Sequence, residues 1–152
     1  MSVTDRLAEL GLSIPEVAKP VASYVPATIA GNLVFTAGQL PFVDGQLPAT
    51  GKVGTEVSAE DARSYARTAV LNALAAVETA IGSVDRITRI VKLVVFVASA
   101  PEFSGQPAVA NGASDTLVEI FGEAGRHARS AVGVAVLPLD APVELELIIE
   151  FA

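Results

Sequence analysis

Between Ser58 and Gly82, apolar and small residues return every three or four positions: Ala62, Tyr65, Ala66, Ala69, Val70, Ala73, Leu74, Val77 and Ile81. That period predicts a long amphipathic helix, and its alanines make one face flat enough to lie close against a sheet. Ser58 and Asp61 have the spacing of an N-terminal capping box, and Gly82 is a natural stop. A sheet to receive this face is also legible. Arg89–Ser99 is valine-rich and reads as a central strand buried on both faces. Tyr24–Ala30 and Asn32–Gln39 read as two strands meeting at Gly31-Asn32.

A second helix is expected from about Pro107 to Phe121, ended by Gly122. Arg129–Leu137 and Val143–Phe151 are expected to close as a hairpin around Pro138–Pro142. Thr4 is placed to cap a short first helix bearing Leu7 and Leu10 and closed by Gly11, and Pro15, Pro20 and Pro26 punctuate an extended arm. The stretch Pro41–Gly54 is turn-rich and reads as an exposed loop. The order is two strands, helix, strand, helix, two strands: an α+β sandwich whose helices cover one sheet face and leave the other bare. No repeat or linker interrupts the chain, so residues 1–152 read as one domain, with residues 1–20 as its N-terminal helix and arm.

Hydrophobic residues make up 51% of the chain and charged residues 18%, an apolar balance for a small soluble monomer. The strongest apolar run, Ile90–Ala98, contains Lys92 and is far shorter than the roughly 20 residues of a membrane-spanning helix. The N-terminal segment carries Asp5 and Glu9 and lacks the basic start of a signal peptide. Self-association through the bare sheet face therefore explains the excess, and it would create pockets between subunits. A net charge of −7 argues against a phosphate-backbone surface, and the absence of Trp argues against a base-stacking platform. There is no cysteine, which suits a cytoplasmic protein and excludes thiolate chemistry.

His127 is the only histidine, so a two-histidine metal site is impossible. A Ser-His-Asp arrangement would have to use it, and no GxSxG elbow presents a serine. In the loop Gly-Glu-Ala-Gly-Arg-His-Ala-Arg it reads as a residue hydrogen-bonded to backbone. Phosphate-cradling glycine patterns are missing too.

Polar residues embedded in apolar strands remain. Arg129 opens Arg-Ser-Ala-Val-Gly-Val, and its planar fork suits a carboxylate, with Ala131 and Gly133 leaving room beside it. The other reading is a cross-strand ion pair with Glu150 across the expected hairpin, and the two stand open. Glu144 and Glu146 share one face of their strand, either solvated or, for a functional glutamate, positioning a water in the cleft of Arg129. Tyr24 reads first as packing, with a hydroxyl able to orient a ligand. Asn111 reads as a residue that caps or orients the second helix.

Gly31–Pro41 (Gly-Asn-Leu-Val-Phe-Thr-Ala-Gly-Gln-Leu-Pro) and Ala128–Pro138 (Ala-Arg-Ser-Ala-Val-Gly-Val-Ala-Val-Leu-Pro), the latter followed by Val-Glu-Leu-Glu, resemble the two signatures of the Rid/YjgF family. Gly-Arg-His-Ala-Arg-Ser-Ala-Val-Gly resembles a longer subgroup of it without an assigned function. The resemblance implies a chorismate-mutase-like fold and a homotrimer packed through its sheets, with clefts between subunits. It implies hydrolysis of 2-aminoacrylate and related enamines or imines to 2-keto acids and ammonia, without metal or cofactor. Carried over by motif position, Arg129 would hold the substrate carboxylate and Glu144 would help place the attacking water. Tyr24, Ala37, Ala131 and Asn111 are counted with the candidate substrate contacts. Ala37 stands where active members often carry serine, Ala131 where many carry cysteine, and the segment from Phe121 to Arg129 is shorter. A non-catalytic sensor or scavenger of such acids is the alternative. The ribonuclease and translation-inhibitor names attached to the family fit poorly with an acidic chain lacking a histidine pair.

Overall fold

The computed structural model describes residues 1–17, 19–20 and 22–152; Ala18 and Val21 of the expected arm lie outside the described residues. The long helix forms as its spacing predicts. It is α2 (Ala59–Ile81), preceded by α1 (Val3–Glu9) and followed by α3 (Gln106–Phe121). The Ser58 hydroxyl accepts the Asp61 N–H at 3.1 Å, and Gly82 closes α2 at a φ of 89° that glycine adopts without steric cost. Ala62, Ala66, Ala69, Val70, Ala73, Leu74, Val77 and Ile81 are all buried.

The first helix is capped differently from expectation. Ser2, not Thr4, is the N-cap, because only Ser2 stands three residues before Asp5 and can exchange both bonds of a capping box with it. Thr4 instead donates its N–H and hydroxyl to Asp85, at 2.9 and 3.0 Å.

Five strands form one sheet: β1 (Ala27–Ala30), β2 (Leu33–Thr36), β3 (Ile87–Ala98), β4 (Ala128–Val134) and β5 (Val143–Phe151), in the order β1-β2-β5-β3-β4. The expected β4–β5 hairpin does not exist. The chain leaves β3, crosses through α3 and returns at the same end, so β4 runs parallel to β3 as its outer neighbour. The Pro138–Pro142 connection then carries the chain past the end of β3, and β5 pairs antiparallel with β3 and β2. The register sets Arg129 beside Leu93, while Glu150 lies beside Leu33 and Arg89 and accepts from the Arg89 guanidinium at 3.2 Å. The ion pair of Arg129 with Glu150 is thereby excluded within the chain.

Helices α2 and α3 pack on one face of the sheet, burying Ile90, Leu93, Val95 and Val97 of β3 and Val143, Leu145, Leu147 and Ile149 of β5. The opposite face has no helix: Val94 and Phe96 of β3, and Glu144, Glu146 and Ile148 of β5, are only half-buried, and Val132 of β4 is 45% exposed. The central strand is thus fully buried on one face, not two. Gly112 sets the approach of α3 to α2, since a Cβ there would overlap the Arg63 carbonyl oxygen. The Pro41–Gly54 loop is anchored and not simply exposed. Buried Asn72 of α2 donates to the Leu40 and Phe42 carbonyls at 3.0 and 3.1 Å, and Val53 joins the core through backbone bonds to Ala98 and Ala100.

Candidate functional site

Arg129 lies on β4, the outer strand, with its side chain turned toward α3. Its Nη1 donates to Asn111 Oδ1 at 2.8 Å and to Ser114 Oγ at 3.1 Å. Asn111 and Ser114 are three residues apart and so share a helix face. Asn111 is therefore no cap, a position taken by Gly105; it accepts from Arg129 and holds the guanidinium in place. Nε and Nη2 of Arg129 have no acceptor among the described residues, and none of these atoms is buried without a partner. The free edge of the fork therefore reaches solvent. Two parallel N–H donors on a guanidinium match the two oxygens of a carboxylate.

Small residues and an open depression flank Arg129 on different sides. Ala131 packs against the core, and a Cβ on Gly133 would come within 2.8 Å of Gln106 Nε2, so these small residues let α3 lie close to β4. An open depression of about 240 Å³ lies toward Ser114, Val118, Arg126 and His127. His127 binds backbone, as its loop setting suggests: Nδ1 lies 2.6 Å from the Gly125 carbonyl oxygen, which can only accept. Its Nε2 is 2.9 Å from Ser114 Oγ, a partner thirteen positions away that no sequence motif marks.

Glu144 belongs to the other side of the sheet. It alternates with buried Val143 and Leu145, faces away from the helices and stands beside Phe96 in the register. Its carboxyl is pushed above the ordinary glutamate range, first by burial and then by the charge of Glu146. Gly38 lies directly against it, so close that a Cβ there would collide with Oε1. Ala37, one residue earlier, extends the β1–β2 ladder by donating its N–H to the Pro26 carbonyl at 2.8 Å. Tyr24 is 50% exposed and precedes β1, which lies four strand spacings, about 19 Å, from β4. One chain therefore brings Arg129 together with Asn111, and Glu144 close to the Ala37-Gly38 backbone. It does not bring Arg129, Glu144 and Tyr24 together.

No group of three or more His, Asp or Glu side chains suited to a metal ion occurs among the described residues. No helix of the described residues is long and apolar enough to cross a membrane.

Known proteins resemble this chain along nearly its whole length. Protein TCP17 of Trypanosoma cruzi is 42% identical over 149 residues, 97% of this chain and 93% of that protein. The crystal structure of Atu1372 from Agrobacterium tumefaciens, of unknown function, is 45% identical with a TM-score of 0.91, covering 99% of this chain and 92% of that one. E. coli TdcF, crystallised with bound serine, is 28% identical with a TM-score of 0.65, covering 90% and 94%. Residues 4–151 match the family described as "YjgF/chorismate mutase-like, putative endoribonuclease". The sheet backed by two long helices, the two sequence signatures and these likenesses agree: the chain belongs to the YjgF/chorismate mutase-like family.

Proposed function

We propose that the protein binds small 2-imino and 2-keto acids at Arg129 and hydrolyses reactive enamines or imines of the 2-aminoacrylate type to 2-keto acids and ammonia. The observation that carries this reading is the unpartnered Nε/Nη2 edge of a guanidinium whose other nitrogen is already fixed by Asn111 and Ser114. A fork held that way meets a carboxylate with little ordering left to do. Bound serine in TdcF supports a ligand that carries a carboxylate beside a nitrogen-bearing carbon.

The reaction needs a water delivered to the C=N carbon. Glu144 suits that work, because burial raises its pKa and makes its carboxylate a better base than that of an exposed glutamate. After tautomerisation of the enamine to the imine, water adds to carbon, the amine nitrogen takes a proton and leaves as ammonia, and the keto acid remains on Arg129. Glu144 and Arg129 occupy opposite faces of one sheet, so the reading requires a second copy to carry its Glu144 to the β4 edge. The half-buried apolar face around Phe96, Val132 and Ile148 offers the surface for that association, and a homotrimer with clefts between subunits satisfies the requirement. No metal or cofactor enters this scheme, and we place the protein in the cytoplasm on its cysteine-free composition.

Pyruvate release from freshly generated 2-aminoacrylate tests the enzyme reading. Acceleration over spontaneous hydrolysis is expected; keto-acid binding without acceleration would leave a sensor or scavenger. Light scattering should give about three times the 15.6 kDa chain mass, and a monomer would overturn the shared site.

A further inference from the structure

The cluster beside Arg129 contains a second chemical capability. Ser114 Oγ lies 2.9 Å from His127 Nε2, and His127 Nδ1 lies 2.6 Å from the Gly125 carbonyl oxygen. A carbonyl accepts only, so in the neutral imidazole Nδ1 carries the proton and Nε2 has its lone pair toward Ser114. The serine hydroxyl then donates to Nε2 while its own oxygen accepts from Arg129 Nη1 at 3.1 Å. A hydroxyl within reach of a base, with the base oriented by a third group, is the arrangement that activates a serine nucleophile. The depression onto which the pair opens is lined by Ser114, Val118, Arg126, His127 and Arg129, with the Glu123 carboxylate paired to Arg126 outside the lining.

We propose that Ser114 and His127 form a nucleophile–base pair that transfers acyl groups from small esters, preferring an acyl chain that carries a negative charge. Ser114 Oγ attacks the ester carbonyl carbon as its proton passes to His127 Nε2. The carbonyl π pair moves to oxygen, where the solvent-facing N–H groups of Arg129 meet the developing charge. Ser114 lies within α3, whose own bonds occupy its backbone N–H, so the guanidinium takes the part that backbone donors usually play. Collapse breaks the ester C–O bond, the leaving alcohol takes the proton from Nε2, and water releases the acyl group by the same path, returning the hydroxyl to Ser114. Arg129 favours an anionic acyl chain, with Arg126, whose Nε donates to the exposed Glu123 carboxylate at 3.0 Å, beside it, and Val118 offers apolar contact. This activity does not depend on the imine chemistry proposed above.

The test is incubation of the full chain with a fluorophosphonate, followed by intact mass and peptide mapping. A single adduct on Ser114 is expected, with labelling at least about tenfold slower in His127→Gln. 4-Nitrophenyl hemisuccinate should be cleaved with a burst approaching one phenolate per chain, and faster than 4-nitrophenyl acetate. No adduct on wild-type protein, or an adduct on another residue, would overturn the proposal whether or not the variant folds. An unchanged labelling rate in a folded His127→Gln would overturn the role of the base. Equal rates on the two esters would overturn the charge preference.

Discussion

Arg129 and Glu144 stand two strands apart in one sheet, yet their surroundings are built on opposite principles. Around Arg129 the polar side chains are linked within the same chain: Asn111, Ser114, His127 and the Gly125 carbonyl form a connected row. Around Glu144 there is no such row. The carboxyl sits half-buried against the bare backbone of Gly38, and the charge of Glu146 adds to burial in raising its pKa. The first region is preorganised by the helix that covers it, and the second is left incomplete because no helix covers it. A helix-backed edge fixes a donor in place, whereas an open sheet face leaves a carboxylate waiting for what docks there.

The sharpest way to break this comparison is to disturb the helix that organises the Arg129 side. In Gly112→Val the new side chain meets the Arg63 carbonyl, which is backbone and cannot turn aside. A loss of about 2–3 kcal/mol or more is expected, read as a lower denaturation midpoint. Gly38→Ala crowds only the end of the Glu144 side chain and should cost far less. Equal losses would mean that the two regions are equally rigid.

A smaller effect is expected from Arg129→Ala, which should weaken 2-keto acid binding by about 2 kcal/mol, roughly 30-fold, by calorimetry. Arg129→Lys should recover little of this, because an ammonium cannot replace the fork. Unchanged affinity in both would make the residue a brace for α3 alone.

Glu144 gives a subtler signature. Its folded pKa lies above the unfolded value, so the folded state holds the proton more tightly than the unfolded one. This contribution is present below the unfolded pKa and is lost as pH rises through the folded pKa. Glu144→Gln should flatten that decline and stabilise the neutral-pH protein by about a few tenths of a kcal/mol, discounted for partial exposure. A pH profile identical to wild type would remove the desolvation argument. The smallest effect belongs to Glu150→Gln, which loses only the exposed pair with Arg89. It should cost about 0–1 kcal/mol and leave keto-acid affinity unchanged. A weakened affinity would restore the link between Glu150 and Arg129 that the register denies.

Most of the elements were legible, because each carries its own local signal. The period of α2, its Ser58 cap and its Gly82 stop are set by side-chain spacing and backbone freedom, and the structure keeps all three. Glu144 alternating against buried Val143 and Leu145 was legible as a strand face, but which face held the helices was not. The cap of α1 was missed because two hydroxyl residues stand within two positions of each other, and only the match of Ser2 with Asp5 decides between them.

The sequence by itself determined that Arg129 begins a strand of small residues and that a helix precedes it, since both follow from patterns a few residues long. Only the tertiary structure decided what Arg129 touches. Pairing β4 with β3 in parallel, and not with β5 in a hairpin, took Glu150 away and gave Arg129 to Asn111 and Ser114. The same crossover brought His127 to Ser114 across thirteen residues. Strand pairing is a non-local choice, made by how the whole sheet buries its apolar face, and no stretch of a few residues contains it.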